Sequence, residues 1–422
     1  MSFLLFFLGA ILVLVGGKQC ELSSTDHKEL MLSLNKKLLR SLEDPSHQSN
    51  PSVHLALRLS THHSQATECK SLSYMKTKLH SDLESSLSDL KPVTGLLALY
   101  LLALKASCYD LGAVKLNDKN LIHHLKSQLE QEKDHIPTKS RPLTSYYQYS
   151  LGILAQCVSG VRLNPHVRNK LIHAIKQGHI GHGENHEGVD TLAMAGIALQ
   201  CVKEFPGQEE DAALKEALNI IKEKLRGSQR ADGHMGNEFS TGLAVQSLLA
   251  MGIQVSECSA SMEALRNSAR TGVYHNPMAI SQVLPALQQR TYLHVKTQGC
   301  TKEDDSLVLE SRPPPGESDD VMVSVEVEVV NSEGRPALNS IDIPKGSTLL
   351  KALELLQTKG EFTFETESSL WGPFLSMVNG VQARQIDRDY WQLLSDGTVL
   401  TEGIGDFKIV KPQKISIKKM RF

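Results

Sequence analysis

LALYLLALKASC (97–108), YQYSLGILAQC (147–157), LAMAGIALQC (192–201) and LAVQSLLAMG (243–252) are four versions of one segment. Aligned on their last residues, they place Ala103, Gly152, Gly196 and Ser247 at one position and Leu104, Ile153, Ile197 and Leu248 at the next. A small residue followed by a branched one, recurring every 44 to 51 residues, marks a repeat architecture. Looser copies, PSVHLALRLS (51–60) and NPMAISQVLPAL (276–287), raise the number to about six. Between them lie amphipathic segments such as DAALKEALNIIKEKL (211–225), apolar at helical spacing with charges opposite. Each unit thus holds one helix apolar nearly all round, which is buried, and one that faces water. Six such pairs predict an all-α (α/α)6 barrel, with small residues letting the inner helices approach closely. An open α-solenoid is the alternative, but it needs polar capping faces that the sequence does not show.

At 422 residues the chain is long enough for two or three domains. TKEDDSLVLESRPPPGESDD (301–320), with seven acids and three successive prolines, reads as a solvated, semi-stiff linker. Beyond it the apolar period changes to two. VMVSVEVEVV (321–330) is a strand with valine on one face, and STLLKALELLQTKG (347–360) is a helix capped by Ser347 and closed by Gly360. FTFET, NG (379–380), YWQLL, DG (396–397) and KISIKKM follow as strands and hairpin turns. The expected order is a barrel over 19–300, the linker, and a small α+β, β-rich domain over 321–422.

Residues 3–17, FLLFFLGAILVLVGG, are apolar without a break but short for a bilayer span. They suit the core of a signal peptide covering 1–18, with an N-terminal anchor as the alternative. No later stretch is long and apolar enough to span, so the expected product is secreted, with no membrane insertion. The seven cysteines, Cys20, Cys69, Cys108, Cys157, Cys201, Cys258 and Cys300, include no CxxC and no zinc-finger spacing, so at most three bridges form. Cys20 lies just behind the expected cleavage site, where it can tie down the new N-terminus. There is no usable N-glycosylation sequon, since NPS (50–52) carries proline in the middle. The net charge of -2, with both signs interspersed, provides no field for nucleic acid.

Every inner helix opens on polar residues: Thr94, TSYYQ (144–148), VDT (189–191), GNEFST (236–241) and NPMAISQ (276–282). Capping alone explains Thr, Ser, Asp and Asn at helix starts. The repeat, however, brings these ends to one mouth, where Tyr146, Tyr147, Gln148, Asn237 and Gln282 exceed what capping needs. Neutral hydrogen-bonding groups of this kind suit a large, polar, uncharged ligand. HIGHGENHEGVDTLAMAGIALQC (179–201) adds His179, His182 and His186 in a glycine-rich run. Metal ligation, acid–base chemistry and a solvated loop are all open to them. HExxH is absent, and no nucleophile or paired carboxylates accompany them. QRADGHMG (229–236) resembles the Gln-x-x-Asp-Gly repeats of terpene cyclases and prenyltransferases, but the aspartate-rich site those enzymes need is missing.

GVDTLAMAGIALQC (188–201) resembles the signature of the animal cobalamin carriers, the transcobalamins, intrinsic factors and haptocorrins. TSYYQYSLGILAQC, GHMGNEFSTGLAVQ, NPMAISQVLPAL and YWQLL resemble further blocks of that family in its order, over nearly the whole mature chain. TSYYQY, the His-rich loop and the missing sequons resemble the transcobalamin branch most. The resemblance implies a secreted, non-enzymatic carrier that clamps cobalamin, with its cobalt, between two domains for delivery to a cell-surface receptor. It also implies a monomer without nucleic-acid partners. Carried over by motif, the barrel contacts are Thr144, Ser145, Tyr146, Tyr147, Gln148, His186, Glu187, Gly188, Val189, Asp190, Asn237, Ser240 and Gln282. The small domain supplies Trp391, Gln392 and Leu393. His186 is the implied cobalt ligand, with His182 as the alternative. The implied bridges are Cys20–Cys258, Cys108–Cys300 and Cys157–Cys201, leaving Cys69 single.

Two positions depart from the family pattern. Leu96 stands where many transcobalamins carry Gln, which removes an amide contact, and HEGVD (186–190) has one His where the family loop has two. The competing class is an α/α-barrel enzyme of the isoprenoid type, which the absorption spectrum of the purified protein would separate from a carrier.

Overall fold

The repeat segments fold as helices buried along most of their length. In α4 (Thr94–Ala106) every residue except Lys105 is buried. The same pattern holds for α2 (Pro51–Leu59), α6 (Tyr146–Val158), α8 (Val189–Lys203), α10 (Ser240–Ala250) and α12 (Pro277–Leu287). These six touch in the order α2, α4, α6, α8, α10, α12 and back to α2, which is a closed ring. Around it pack α1 (Thr25–Glu43), α3 (Gln65–Ser88), α5 (Leu121–Lys139), α7 (Pro165–Lys176), α9 (Ala212–Gly227) and α11 (Ser259–Arg270). In α9 the buried residues Leu214, Ala217, Leu218, Ile221 and Leu225 form one stripe, as an outer helix requires. The computed structural model describes residues 25–43, 50–88, 92–180, 188–207, 211–254, 259–300, 305–309, 321–330, 337–360, 362–369, 372–384 and 387–421.

The small residues of the repeat are where inner helices meet. A Cβ on Gly196 of α8 would collide with the Ser247 hydroxyl of α10. One on Gly242 of α10 would come within 2.8 Å of the Gln282 carbonyl oxygen on α12. Disulfides Cys157–Cys201 and Cys108–Cys300 join α6 to α8 and the end of α4 to the end of the barrel. Cys69 is exposed and unbridged. Cys20, Cys258 and the expected signal segment lie outside the described residues, and no helix among those described is long and apolar enough to cross a membrane.

Part of the segment expected as solvated linker is docked. Leu307 is buried against the barrel, its N–H donating to the His63 carbonyl at 3.1 Å, while Asp305 Oδ1 accepts from the Gln65 N–H at 2.7 Å. Leu307 and Leu309 are apolar residues inside an acidic stretch, and both join the barrel core. Composition describes the whole stretch; two leucines decide where its middle goes.

The C-terminal domain has its own core. Strands β1 (Lys115–Leu116) and β2 (Lys119–Asn120) make a short hairpin ahead of α5 in the barrel, so this domain begins at β3 (Met322–Val330), where Val323, Val325, Val327 and Val329 are buried and their neighbours are largely exposed. β4 (Ala337–Pro344), β8 (Asp389–Ser395), β9 (Thr398–Val399) and β10 (Gln413–Arg421) complete a five-stranded sheet in the order β4-β3-β10-β8-β9, with only the β3–β10 pair parallel. β5 (Phe364–Ser369), β6 (Gly372–Val378) and β7 (Val381–Gln382) form an antiparallel three-stranded sheet. The NG and DG turns are left-handed at both central residues, with φ of 47° and 79° at Asn379 and Gly380 and 47° and 83° at Asp396 and Gly397. Helix α13 (Leu349–Lys359) closes at Gly360 but is capped by Thr348, whose hydroxyl accepts from the Lys351 N–H at 3.2 Å. Ser347 belongs instead to the preceding turn, where its N–H donates to the Pro344 carbonyl.

Candidate functional site

One outer helix separates each inner helix from the next and returns the chain, so all six inner helices run the same way. Their N-termini share one end of the ring. The small domain lies over part of that end and encloses a cavity of about 900 Å³ with it, near the top of the range for small-molecule sites (~300–1,000 Å³). The barrel wall comes from Val93, Leu96, Leu143, Thr144, Ser145 and Gln148, and the facing wall includes Phe374, Gln382, Tyr390, Trp391, Gln392 and Leu393.

The barrel wall is held from behind. Glu132, fully buried on the outer helix α5, accepts the Thr144 hydroxyl at 2.6 Å, the Thr144 N–H at 3.0 Å and the Thr94 hydroxyl at 2.7 Å. Burial raises its pKa above the usual carboxylate value, although these donors act the other way. Gln128, one turn earlier, accepts the Val93 N–H at 3.0 Å. Gln148 accepts the Gly95 N–H at 3.2 Å, so it caps the neighbouring helix rather than its own. Ser145 is the cap of α6, accepting the Gln148 N–H at 3.2 Å. Trp391 on the opposite wall has its ring in the small-domain core, and its buried indole nitrogen has no hydrogen-bond partner among the described residues.

A second polar group lies within the same end of the ring. Burial, then the Tyr292 and Asp190 side chains, push the Tyr147 phenol well above its ordinary range. Asp190 accepts the Ser240 hydroxyl at 2.9 Å, and burial raises its pKa. Asn237 Oδ1 accepts the N–H groups of Phe239 and Ser240, at 2.9 and 2.8 Å. Tyr292 belongs to a short 3-10 helix, Tyr292–Lys296, that packs against α2, α4, α6 and α8.

The cavity thus brings together Thr144, Ser145, Gln148, Trp391, Gln392 and Leu393, while Tyr147, Asp190, Ser240 and Asn237 form the neighbouring group. Gly188 begins α8, Val189 is buried against Gly236, and Tyr146 is buried with its hydroxyl 3.5 Å from the Ser140 carbonyl. Gln282 is half-buried, and its carbonyl accepts from Gln246 Nε2 at 3.2 Å. None of these four lines the cavity. His182, His186 and Glu187 lie outside the described residues. Sequence reading missed Gln128 and Glu132. They occupy the apolar face of α5 in register with Leu125, Leu129 and Ile136, the one signal that could have exposed them.

QRADGHMG builds a turn. Asp232 accepts the His234 N–H at 3.0 Å and pairs with Arg230 at 3.0 Å, while Gln229 Nε2 donates to Ser261 at 2.7 Å. Gly233 sits at φ 90° with the Ala260 carbonyl against it, which ties the turn to α11.

A model of the family described as eukaryotic cobalamin-binding protein matches residues 1–319, and one described as a domain of unknown function matches 346–419. The chain is 35% identical to transcobalamin-2 of Bos taurus, covering 97% of this chain and 98% of that one. It is 30% identical to the cobalamin-binding intrinsic factor of Homo sapiens, over 85% and 84%. A crystal structure of haptocorrin in complex with Cbi matches with a TM-score of 0.68 at 25% identity, covering 94% of this chain and 98% of that one. The chain belongs to the eukaryotic cobalamin-binding protein family.

Proposed function

We propose that this chain is a secreted, non-enzymatic carrier that holds cobalamin in the cleft between barrel and small domain. The observation that carries the reading is the cleft itself, where neutral hydrogen-bonding groups from both domains, Thr144, Ser145 and Gln148 on one wall and Gln382 and Gln392 on the other, stand beside apolar side chains and a rim that includes Glu365, Glu367, Arg384 and Glu402. Cobalamin presents a corrin ring fringed with amides, a nucleotide tail and a cobalt whose upper position exchanges ligands. Thr144, Ser145, Gln148 and Gln392 match the amides, and Leu96, Leu393 and the Trp391 ring match the apolar parts. Two domains closing on one ligand bury most of its surface, as tight binding requires. His186 is assigned to cobalt from the sequence resemblance, and neutral imidazole would replace water there. Delivery to a cell-surface receptor by a monomeric chain completes the reading. Titration of the purified protein with aquocobalamin tests it: one tight site per chain with a shift of the visible bands is expected, and no binding at micromolar protein would refute it.

A further inference from the structure

Among the described residues, polar contacts that cross from the barrel to the small domain beside the cleft include two bridges. Asp82 on α3 is the first bridge. Its Oδ2 accepts the phenol of Tyr100 at 2.6 Å, and its Oδ1 accepts the hydroxyl of Ser368 on β5 at 2.9 Å, with Lys78 Nζ 3.9 Å away. Tyr100 is fully buried on α4, one turn from the cleft residue Leu96. His275, just before α12, is the second. Its Nε2 lies 2.7 Å from Oε1 of Glu402, and its Nδ1 lies 3.0 Å from the Val273 carbonyl. Ser368 and Glu402 both line the cleft. The barrel partners flank α2 in the ring, since α3 packs on α2 and α4 while α12 touches α2 from the other side.

We propose that Asp82 and His275 are positioning residues, the barrel half of a clasp that keeps the small domain closed and sets how long the ligand stays. The ligand's identity rests on the reading above; the closure does not. The two bridges differ in chemistry. Burial and the Asp82 charge push the Tyr100 phenol far above its ordinary range, so it remains a donor and keeps Asp82 oriented toward Ser368. His275 titrates. Burial pulls its pKa down, but the Glu402 carboxylate and the Val273 and Gly272 carbonyls outweigh this and leave it raised. The closed state therefore binds the proton more tightly than the open state. Closure is favoured on the acid side and weakens as pH rises through the histidine range.

The test uses the full chain loaded with cobalamin, its dissociation followed by exchange against excess labelled ligand on both sides of the histidine range. The wild-type protein should release about two- to five-fold faster on the alkaline side, the size of effect an exposed ion pair supports. His275→Gln, which keeps a donor but cannot titrate, should release without that pH slope. Ser368→Ala should release faster at every pH with the slope intact. Ser368→Ala is preferred to Asp82→Ala because the latter would strand the buried Tyr100 hydroxyl. Small-angle scattering of the ligand-free protein should show the wild type opening as pH rises and His275→Gln not responding, whether or not cobalamin is the ligand. A wild-type pH slope in His275→Gln, or wild-type release by Ser368→Ala, would overturn the clasp and leave the cobalamin reading standing.

Discussion

Glu132 holds Thr144 by two atoms at once, its carboxylate accepting both the hydroxyl at 2.6 Å and the backbone N–H at 3.0 Å. An outer-helix side chain thus fixes the backbone path into α6 and the presentation of Thr144, Ser145 and Gln148 to the cleft. Glu132→Leu should cost about 1–3 kcal/mol for each buried donor left unpaired, and weaken ligand binding as the wall loosens. Glu132→Gln should be tolerated, since an amide resembles the protonated acid. Denaturant unfolding of both variants measures this; equal stability would remove Glu132 from the support of the wall.

The same carboxyl makes a pH prediction. Its folded pKa is raised above the ordinary 4.5, so the native state binds its proton more tightly than the unfolded state. The stability this supplies is complete below the ordinary value and is lost as pH rises through the raised folded value. Wild-type stability measured relative to Glu132→Gln should therefore fall across that window. A difference independent of pH would mean the carboxyl is not perturbed.

Gly196 is an overpacking test of the ring. Gly196→Val pushes two methyl groups toward Ser247, and should destabilise the barrel by about 1–3 kcal/mol with a lower melting temperature. Pairing it with Ser247→Gly should recover part of the loss. Failure of the double variant to recover anything would place the strain elsewhere.

Leu96 lines the cleft at a position where the family resemblance implies Gln. Leu96→Gln should restore an amide contact and slow cobalamin release about two- to ten-fold, the effect of one net hydrogen bond of ~0.5–1.5 kcal/mol. An unchanged release rate would show that this position does not face the ligand.

His186→Ala should abolish the visible-band shift of bound aquocobalamin while substantial affinity remains, because the cleft contacts persist. His182→Ala should keep the shift. The reverse result would assign cobalt to His182, and wild-type spectra from both variants would make the loop a solvated one.

The ring of inner helices was legible because close helix contact demands small side chains at fixed intervals, and Gly196 against Ser247 is that demand met. The hairpin turns were legible because NG and DG accept positive φ at both residues. Glu132 was hidden because a buried carboxylate on an amphipathic helix looks like a solvated one until its partners are known. Asp82 and Ser368 were beyond reach: they lie 286 residues apart and meet only after two domains have formed. Leu307 was concealed by the acids around it. Local pattern determines elements, whereas single polar or apolar residues with distant partners determine how elements are held.

The bond between Cys108 and Cys300 makes a covalent loop of everything from α5 to α12, and the bond between Cys157 and Cys201 makes a smaller loop inside it. The His-rich residues 181–187 lie within both. A protease that cut there once would release no piece, because each new end would still be tied through sulfur to the rest. The nicked molecule would migrate as one species, with the small domain still attached to α1–α4, until a reductant separated it into two. An unbroken backbone and an unbroken molecule are separate conditions in this chain.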